Sequence, residues 1–384
     1  MVKTFKSEFH PSHSDAEYIR KACGIRRWTW NWAVATYFAE AKRENFMDTY
    51  KLQKRLNNNE VLDPAYGWLT EVNSMVRGEA LKDFGLSLVQ YADARKRAKR
   101  TVTKIPVDKY KPSFKKKNKC TESFRIFKKC DNVFKVHSAH DLSVVTTRGR
   151  QRLHIHPLES VEFLMSADIK TCTISMKGGK FFMSVTYEKT NQRARSCGTG
   201  KAGIDLGIKH AATIYDGSSA EHIDVPAALT RAERRTERCS QRLARSLKGT
   251  KHHSRLLIQL ERAYMHEANV KKDWREKLTS RLVSAYAEIF IDDFCFEDAK
   301  YLDANRALYR VGCYAFKTRL EQKAAETGAS VVYIPKGTPT TRTCSGCGEQ
   351  HELSLSDRTY VCPHCGLVLD RDVNAAINVY NYCC

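Results

Sequence analysis

CSGCGEQHELSLSDRTYVCPHCGLVLDRDVNAAIN, residues 344–378, is the stretch on which the fold turns. Cys344 and Cys347 form one C-x-x-C pair, and fourteen residues later Cys362 and Cys365 form a second. Gly346, Gly348 and Gly366 allow tight knuckle turns in which backbone amides face the thiolates. Four thiolates on a tetrahedral zinc ion leave no open position, so the expected zinc is structural. A redox dithiol would need only one such pair. Between the pairs, HELSLSDRTYV reads as a short hairpin. Only six residues separate Cys365 from Asp372, which stands just before a terminal helical stretch, VNAAINVYN. The ribbon is therefore expected to be an insertion whose fold helps position Asp372.

Further acids sit at comparable places upstream. Asp205 lies in the apolar strand GIDLG, and Asp292 and Asp293 end the strand EIFIDDF. An acid in or at the end of an apolar strand costs desolvation energy unless it is paired or metal-bound. Acids distant in sequence can converge at one edge of a sheet. Such a set suits two magnesium ions about 4 Å apart, which activate water and stabilise the leaving oxygen in phosphodiester cleavage. For any single acid a solvated or capping role is as good a reading, and Asp372 suits the cap of the last helix.

Charge points to the same chemistry. The 384 residues carry 65 Lys and Arg against 43 Asp and Glu, a formal net charge of +22. A surplus of this size should collect a polyanion with salt-dependent affinity. Nucleic acid is favoured over a membrane surface, because no basic amphipathic helix stands alone at either end. No apolar run of about 18 residues exists, so no membrane span is expected. The start, MVKTFKSEFHPSHSD, has no apolar core of a signal peptide. The expectation is a cytoplasmic, nucleoid-associated protein. The ten cysteines outside the ribbon, including Cys383 and Cys384, are assigned no role.

From Arg95 to Lys119, twelve of 25 residues are Lys or Arg, interleaved with Pro106, Tyr110, Pro112 and Phe114. This reads as an irregular basic connector. Its phosphate-contact candidates are Arg95, Lys96, Arg97, Lys99, Arg100, Lys109, Lys111, Lys115, Lys116 and Lys117.

Elsewhere, residues 1–9 suit one strand, and Ser14 to Leu88 has helical spacing. The aromatic region Trp28–Trp32 is expected in a core rather than under bases. Residues 123–190 read as short strands of a small β-barrel or β-sandwich. Within them, His154-Ile155-His156 has the form used by strand transferases with a covalent tyrosine, but its alternation suits surface histidines on a strand. A polar stretch, Thr190–Lys201, marks a boundary. Beyond it, strands alternate with helices, including a long helical region from Ala227 to Ala287 broken near Gly249, which argues for an α/β domain.

At this point the chain resembles the TnpB/OrfB family of insertion-sequence proteins, relatives of type V CRISPR effectors. GIDLGIKHAATIYDG resembles the first RuvC motif, IFIDDF the second and LDRDVNAAIN the third. CSGCG and CPHCG resemble the family's zinc ribbon, and YKPSFKKKNKCTESFRI its Pro-x-Phe-Lys segment. The resemblance implies a multidomain α/β fold: a helical recognition region, a wedge β-barrel, and an RNase H-like RuvC domain with an inserted ribbon. Transferred to this numbering, residues 1–12 give the first wedge strand and 13–94 the helical region. Residues 95–197 give the basic connector and wedge barrel, and 198–337 RuvC motifs I and II. The ribbon is 338–368, and motif III with the final helix is 369–384.

The implied activity is RNA-guided, magnesium-dependent DNA cleavage by Asp205, Asp292 and Asp372. The guide RNA would come from the transposon end, and the target would be double-stranded DNA. One position departs from the family, which carries Glu where this chain has Asp292. The carboxylate is one methylene shorter, and catalytic groups need placement within about 0.5 Å. Asp293, Glu297 or Glu321 are possible stand-ins. The alternative reading is an RNA-guided DNA binder or repressor with weakened cleavage.

Overall fold

The computed structural model describes residues 2–40, 49–100, 106–117, 122–130, 132–146, 152–188, 196–207, 209–292, 312–335, 337–354 and 357–382. Packing divides the chain into two units, 1–192 and 193–384.

The first unit begins with β1 (Val2–Phe9) and α1 (His13–Glu40). Ser12 Oγ accepts the backbone N–H of Asp15 at 3.2 Å, which stops the strand and starts the helix. After α2 (Thr49–Arg55) comes α3 (Ser74–Arg100). Trp28 packs edge-on to Trp68 at 5.3 Å, and Trp30 edge-on to Phe84 at 5.7 Å, so these aromatics belong to cores.

Strands β2 (Glu122–Phe127), β6 (Asp168–Lys177) and β7 (Lys180–Glu188) join β1 in an antiparallel sheet of order β1-β7-β6-β2. Strands β3 (Phe134–Ser138), β4 (Asp141–Val145) and β5 (Arg152–Ile155) form a second antiparallel sheet. Both contribute to one core, with Phe124, Ile126 and Ile174 from the first and Leu142, Val144 and Ile155 from the second. Among the described residues these strands make two sheets rather than one closed barrel.

The second unit is built on a five-stranded sheet of order β10-β9-β8-β11-β12. Its strands are β8 (Gly200–Asp205), β9 (Ala212–Tyr215), β10 (Ala220–Ile223), β11 (Tyr286–Asp292) and β12 (Ser330–Ile334). β8, β11 and β12 run parallel, while β9 and β10 are antiparallel additions. Helices α4 (Ala227–Ala244) and α5 (Lys251–Ala285) break at Gly249, whose φ is +86°. Thr250 then caps α5 by accepting the N–H of His253 at 3.0 Å.

α6 (Cys313–Thr327) and the last turns of α5 cover one face of this sheet, against Ala202, Ile204, Ile289 and Ile291. On β11 the intervening Phe290 belongs to a different cluster, with Val379 of α7 (Arg371–Asn381). Strand alternation therefore gives Gly203, Asp205, Phe290 and Asp292 the α7 side. Gly203 permits this: a Cβ there would lie 2.4 Å from Tyr380 N and 2.5 Å from Ala376 O.

Candidate functional site

Asp205 is the last residue of β8 and Asp292 the last of β11. The parallel register sets Ile291 against Ile204, so the two acids end neighbouring strands at one level. The third acid comes from α7. Asp370, not Asp372, caps that helix, accepting N–H bonds from Asp372 at 2.9 Å and Val373 at 3.3 Å. The capping role considered for Asp372 thus falls to its neighbour. Asp372 turns inward instead and is only 8% exposed. Its Oδ2 lies 3.7 Å from where a Cβ on Gly207 would sit, beside the turn that leaves β8.

The electrostatics of this cluster are unfavourable as it stands. Desolvation, then the charges of Asp372 and Asp292, push the Asp205 carboxyl up to about 7. A cation among the three would relieve that penalty, and three hard oxygen donors suit magnesium rather than a soft metal. Of the stand-ins for Asp292, Asp293 and Glu297 lie outside the described residues. Glu321 accepts a hydrogen bond from Tyr333 at 2.7 Å and is exposed on α6.

The ribbon cysteines come together as their spacing requires. Sγ atoms of Cys344, Cys347, Cys362 and Cys365 all lie within 4.8 Å of one another. Cys344 and Cys365 are 3.5 Å apart, and Cys347 and Cys362 3.6 Å. Sulfurs about 2.3 Å from a tetrahedral zinc ion lie about 3.8 Å apart, so the group fits the metal. The backbone N–H of Cys365 points at Cys362 Sγ and pulls that thiol down to about 6, toward the thiolate that zinc needs. Tyr360 is fully buried beneath the cluster.

The hairpin does not lie where the sequence suggests. β13 (Thr359–Val361) pairs with β14 (Val368–Asp370), so it straddles the second knuckle instead of filling the space between the pairs.

α7 is clamped to this ribbon. Asn374 Nδ2 donates to Thr343 O at 2.8 Å, and Asn374 Oδ1 accepts the Ser345 N–H at 2.9 Å. Asn378 Nδ2 donates to Thr340 O and Thr343 O, both at 2.7 Å. Arg371 donates to Ser354 O at 3.1 Å and Asp357 O at 3.2 Å. The helix that carries Asp372 thus bonds the first cysteine loop directly. Cys362→Ser is expected to release the ribbon's zinc and open residues 344–365 to protease. Metal analysis and limited proteolysis read this, and unchanged zinc content would contradict it.

In the first unit, Arg95, Lys96, Arg97, Lys99 and Arg100 continue α3 rather than starting an irregular connector, and all five are exposed. Lys109 lies in a short 3-10 turn, Val107–Tyr110. The next segment docks on α1: Trp30 Nε1 donates to Ser113 O at 2.9 Å, and Lys115 N to Asn31 Oδ1 at 2.7 Å. Lys115 Nζ sits 3.4 Å over the Trp30 ring, whereas Lys109, Lys111, Lys116 and Lys117 remain exposed.

Among the described residues, no helix is long and apolar enough to cross a membrane. What sequence reading missed is Gly203, whose only signal is a glycine inside an otherwise apolar strand.

Three family models match the chain. A "Helix-turn-helix domain" model of OrfB proteins covers residues 1–45, the OrfB "Probable transposase" model 184–301, and the "Cas12f1-like, TNB domain" model 314–379. A Streptomyces pristinaespiralis protein named "Putative RNA-guided DNA endonuclease" is 26% identical over 390 residues, covering 98% of this chain and 88% of that one. A Mycobacterium tuberculosis protein of similar name is 23% identical over 409 residues, covering 99% and 86%. A TnpB-like mimivirus protein is 24% identical over 353 residues, covering 87% and 62%.

Among solved structures, a Cas12f1–sgRNA–target DNA complex gives a TM-score of 0.54 at 12% identity, covering 99% of both chains. A CasPhi-2 (Cas12j) complex with crRNA gives 0.52 at 10%, covering 99% and 97%. At such identities the likeness concerns the mixed α/β multidomain fold alone. The chain thus carries segments that match OrfB-type and Cas12f1-like models, and over nearly its whole length it is similar to proteins named RNA-guided DNA endonucleases.

Proposed function

We propose that this chain is an RNA-guided DNA endonuclease of the TnpB type, encoded by an insertion sequence. It would take its guide RNA from the transposon end and cut double-stranded DNA by magnesium-dependent hydrolysis. The observation that carries the reading is the convergence of Asp205, Asp292 and Asp372 from β8, β11 and α7 at one end of a mixed sheet. The names of the relatives, and the likeness to effectors solved with RNA and DNA, support it.

Magnesium, when bound, would activate the attacking water and neutralise the leaving oxygen. The protein's part is to hold three carboxylates rigidly. Asp205 and Asp292 are fixed by hydrogen-bonded strands, and Asp372 by a helix packed tightly over Gly203. The exposed cations of α3 and the following segment would bind phosphates, leaving sequence reading to base pairing. Replacing Lys116 and Lys117 by Gln should lower the salt slope of RNA binding by about one for each phosphate left without its lysine. An unchanged slope would remove them from the interface.

The test uses the purified protein with its copurifying RNA, magnesium and a duplex matched to that RNA. Cleavage is the expected result. Binding without cleavage would overturn the nuclease reading in favour of a guided binder. Recovery of cutting in Asp292→Glu would then assign the loss to the shorter carboxylate.

A further inference from the structure

We propose that His137, Asp141 and His154 form a second metal site, for a divalent transition ion such as zinc, on the outer face of the β3–β4–β5 sheet. One ligand atom from each of the three lies within 4.8 Å of the others. Two imidazoles and a carboxylate favour zinc, nickel or copper over magnesium.

Strand geometry builds the group. In β5, Leu153 and Ile155 are buried in the core, so Arg152 and His154 face outward. In β4, Leu142 and Val144 are buried, which puts Asp141 and Ser143 on the same outer face. The register sets Ser143 against His154. β3 does not follow simple pairing: its register slips between Val136 and Ser138, and His137 occupies the slip. Alternation along β3, with Phe134 buried and Lys135 exposed, still gives His137 the outer face, alongside His154. Their rings stack at 5.7 Å between centroids and 22° between planes.

The distances suit shared ligation better than a hydrogen bond. His154 Nδ1 lies 3.4 Å from Asp141 Oδ1, outside the usual 2.7–3.2 Å range. Two donors 2.0–2.1 Å from a tetrahedral ion lie about 3.3 Å apart. His156 Nδ1 lies 3.9 Å from the same carboxylate oxygen but donates to His140 O at 3.3 Å, so water would complete the ion's coordination.

The support behind the ligands is also present. His137 Nε2 lies 2.7 Å from the Oγ of fully buried Ser143, which leaves Nδ1 for an ion. Ser143 Oγ in turn accepts from Arg152 Nε at 2.7 Å. Arg152 also donates to Asn132 O, Val133 O and Ser143 O. The ion would be open to solvent, since the His154 side chain is 48% exposed, and it would staple three strands together.

The zinc-loaded full-length protein, dialysed against micromolar zinc, is expected to hold two zinc ions per chain. His137→Ala and His154→Ala should each reduce this to one while keeping the ribbon's ion and the far-ultraviolet circular dichroism. Asp141→Asn keeps the side-chain shape and should weaken the second ion at least about tenfold. Cobalt added to protein holding one zinc per chain, the ribbon's, should give d–d bands without a thiolate charge-transfer band. One zinc in the unmodified protein, or a second zinc that survives all three substitutions, overturns the proposal. DNA cleavage should be unchanged in these variants.

Discussion

Asp205→Asn is expected to reduce DNA cleavage on the order of 10⁴-fold, the scale seen when one member of a concerted catalytic set is removed. RNA retention and matched-target binding should persist. The side chain stands where β8 meets its neighbouring acids, so the amide preserves shape while removing a charge and an ionic ligand. Cutting by the variant at more than a hundredth of the parent rate would move the site elsewhere.

The same substitution makes a prediction about folding without metal. The Asp205 carboxyl is raised from 3.8 to about 7 in the folded protein, so the native state holds this proton more tightly than the unfolded chain. Stability from this group is therefore full at low pH and is lost as pH rises from about 4 to about 7. In chelator, the difference in Tm between Asp205→Asn and the parent should grow across that range. Magnesium should restore the parent at pH 8 and leave the variant unmoved. Parallel Tm curves for the two proteins would show that the acids are not crowded.

Gly203→Ala should be the most damaging single-methyl change in the second unit. The new Cβ would meet Tyr380 N at 2.4 Å and Ala376 O at 2.5 Å, both backbone atoms that cannot rotate away. Overpacking of this kind costs about 3 kcal/mol. What survives folding must lift α7 from β8, and Asp372 travels with the helix. A displacement of about 1 Å at a reacting group costs about a hundredfold in rate. Calorimetry and single-turnover cleavage measure the two effects separately. A stable variant with full activity would mean that the close packing of α7 on Gly203 does not set the position of Asp372.

Legibility in the sequence followed locality. The cysteine ligands could be read because both knuckles are written in adjacent residues. Asp205 and Asp292 were readable as acids spoiling apolar strands, but their meeting depends on the register of β11 against β8, which no local pattern encodes. The hairpin was misplaced for a related reason. Three-residue strands carry too little periodicity to name their partner, and β13 chose the strand beyond the knuckle.

Arg95–Arg100 joined α3 because Lys, Arg and Ala sustain a helix even where the composition suggests a linker. The choice between Asp370 and Asp372 as cap turned on a two-residue difference in where the helix starts. The cluster of His137 with His154 depends on how β3, β4 and β5 pair, which no residue type announces.

The ribbon's closure has a consequence for chain length. Thirty-six residues, 335–370, connect β12 to α7, yet the helix must land beside β8. An open loop of that length pays an entropy that grows with the logarithm of its contour. Joining Cys344 to Cys365 through one ion shortens the effective connection to roughly sixteen residues, which recovers about 0.7 kcal/mol. The loop between the knuckles is then topologically a side branch. Residues can be added within 349–358 without lengthening the path from strand to helix. With an ion bound, length added there would leave the reach of α7 unchanged, while Ser354 and Asp357 still take the hydrogen bonds of Arg371.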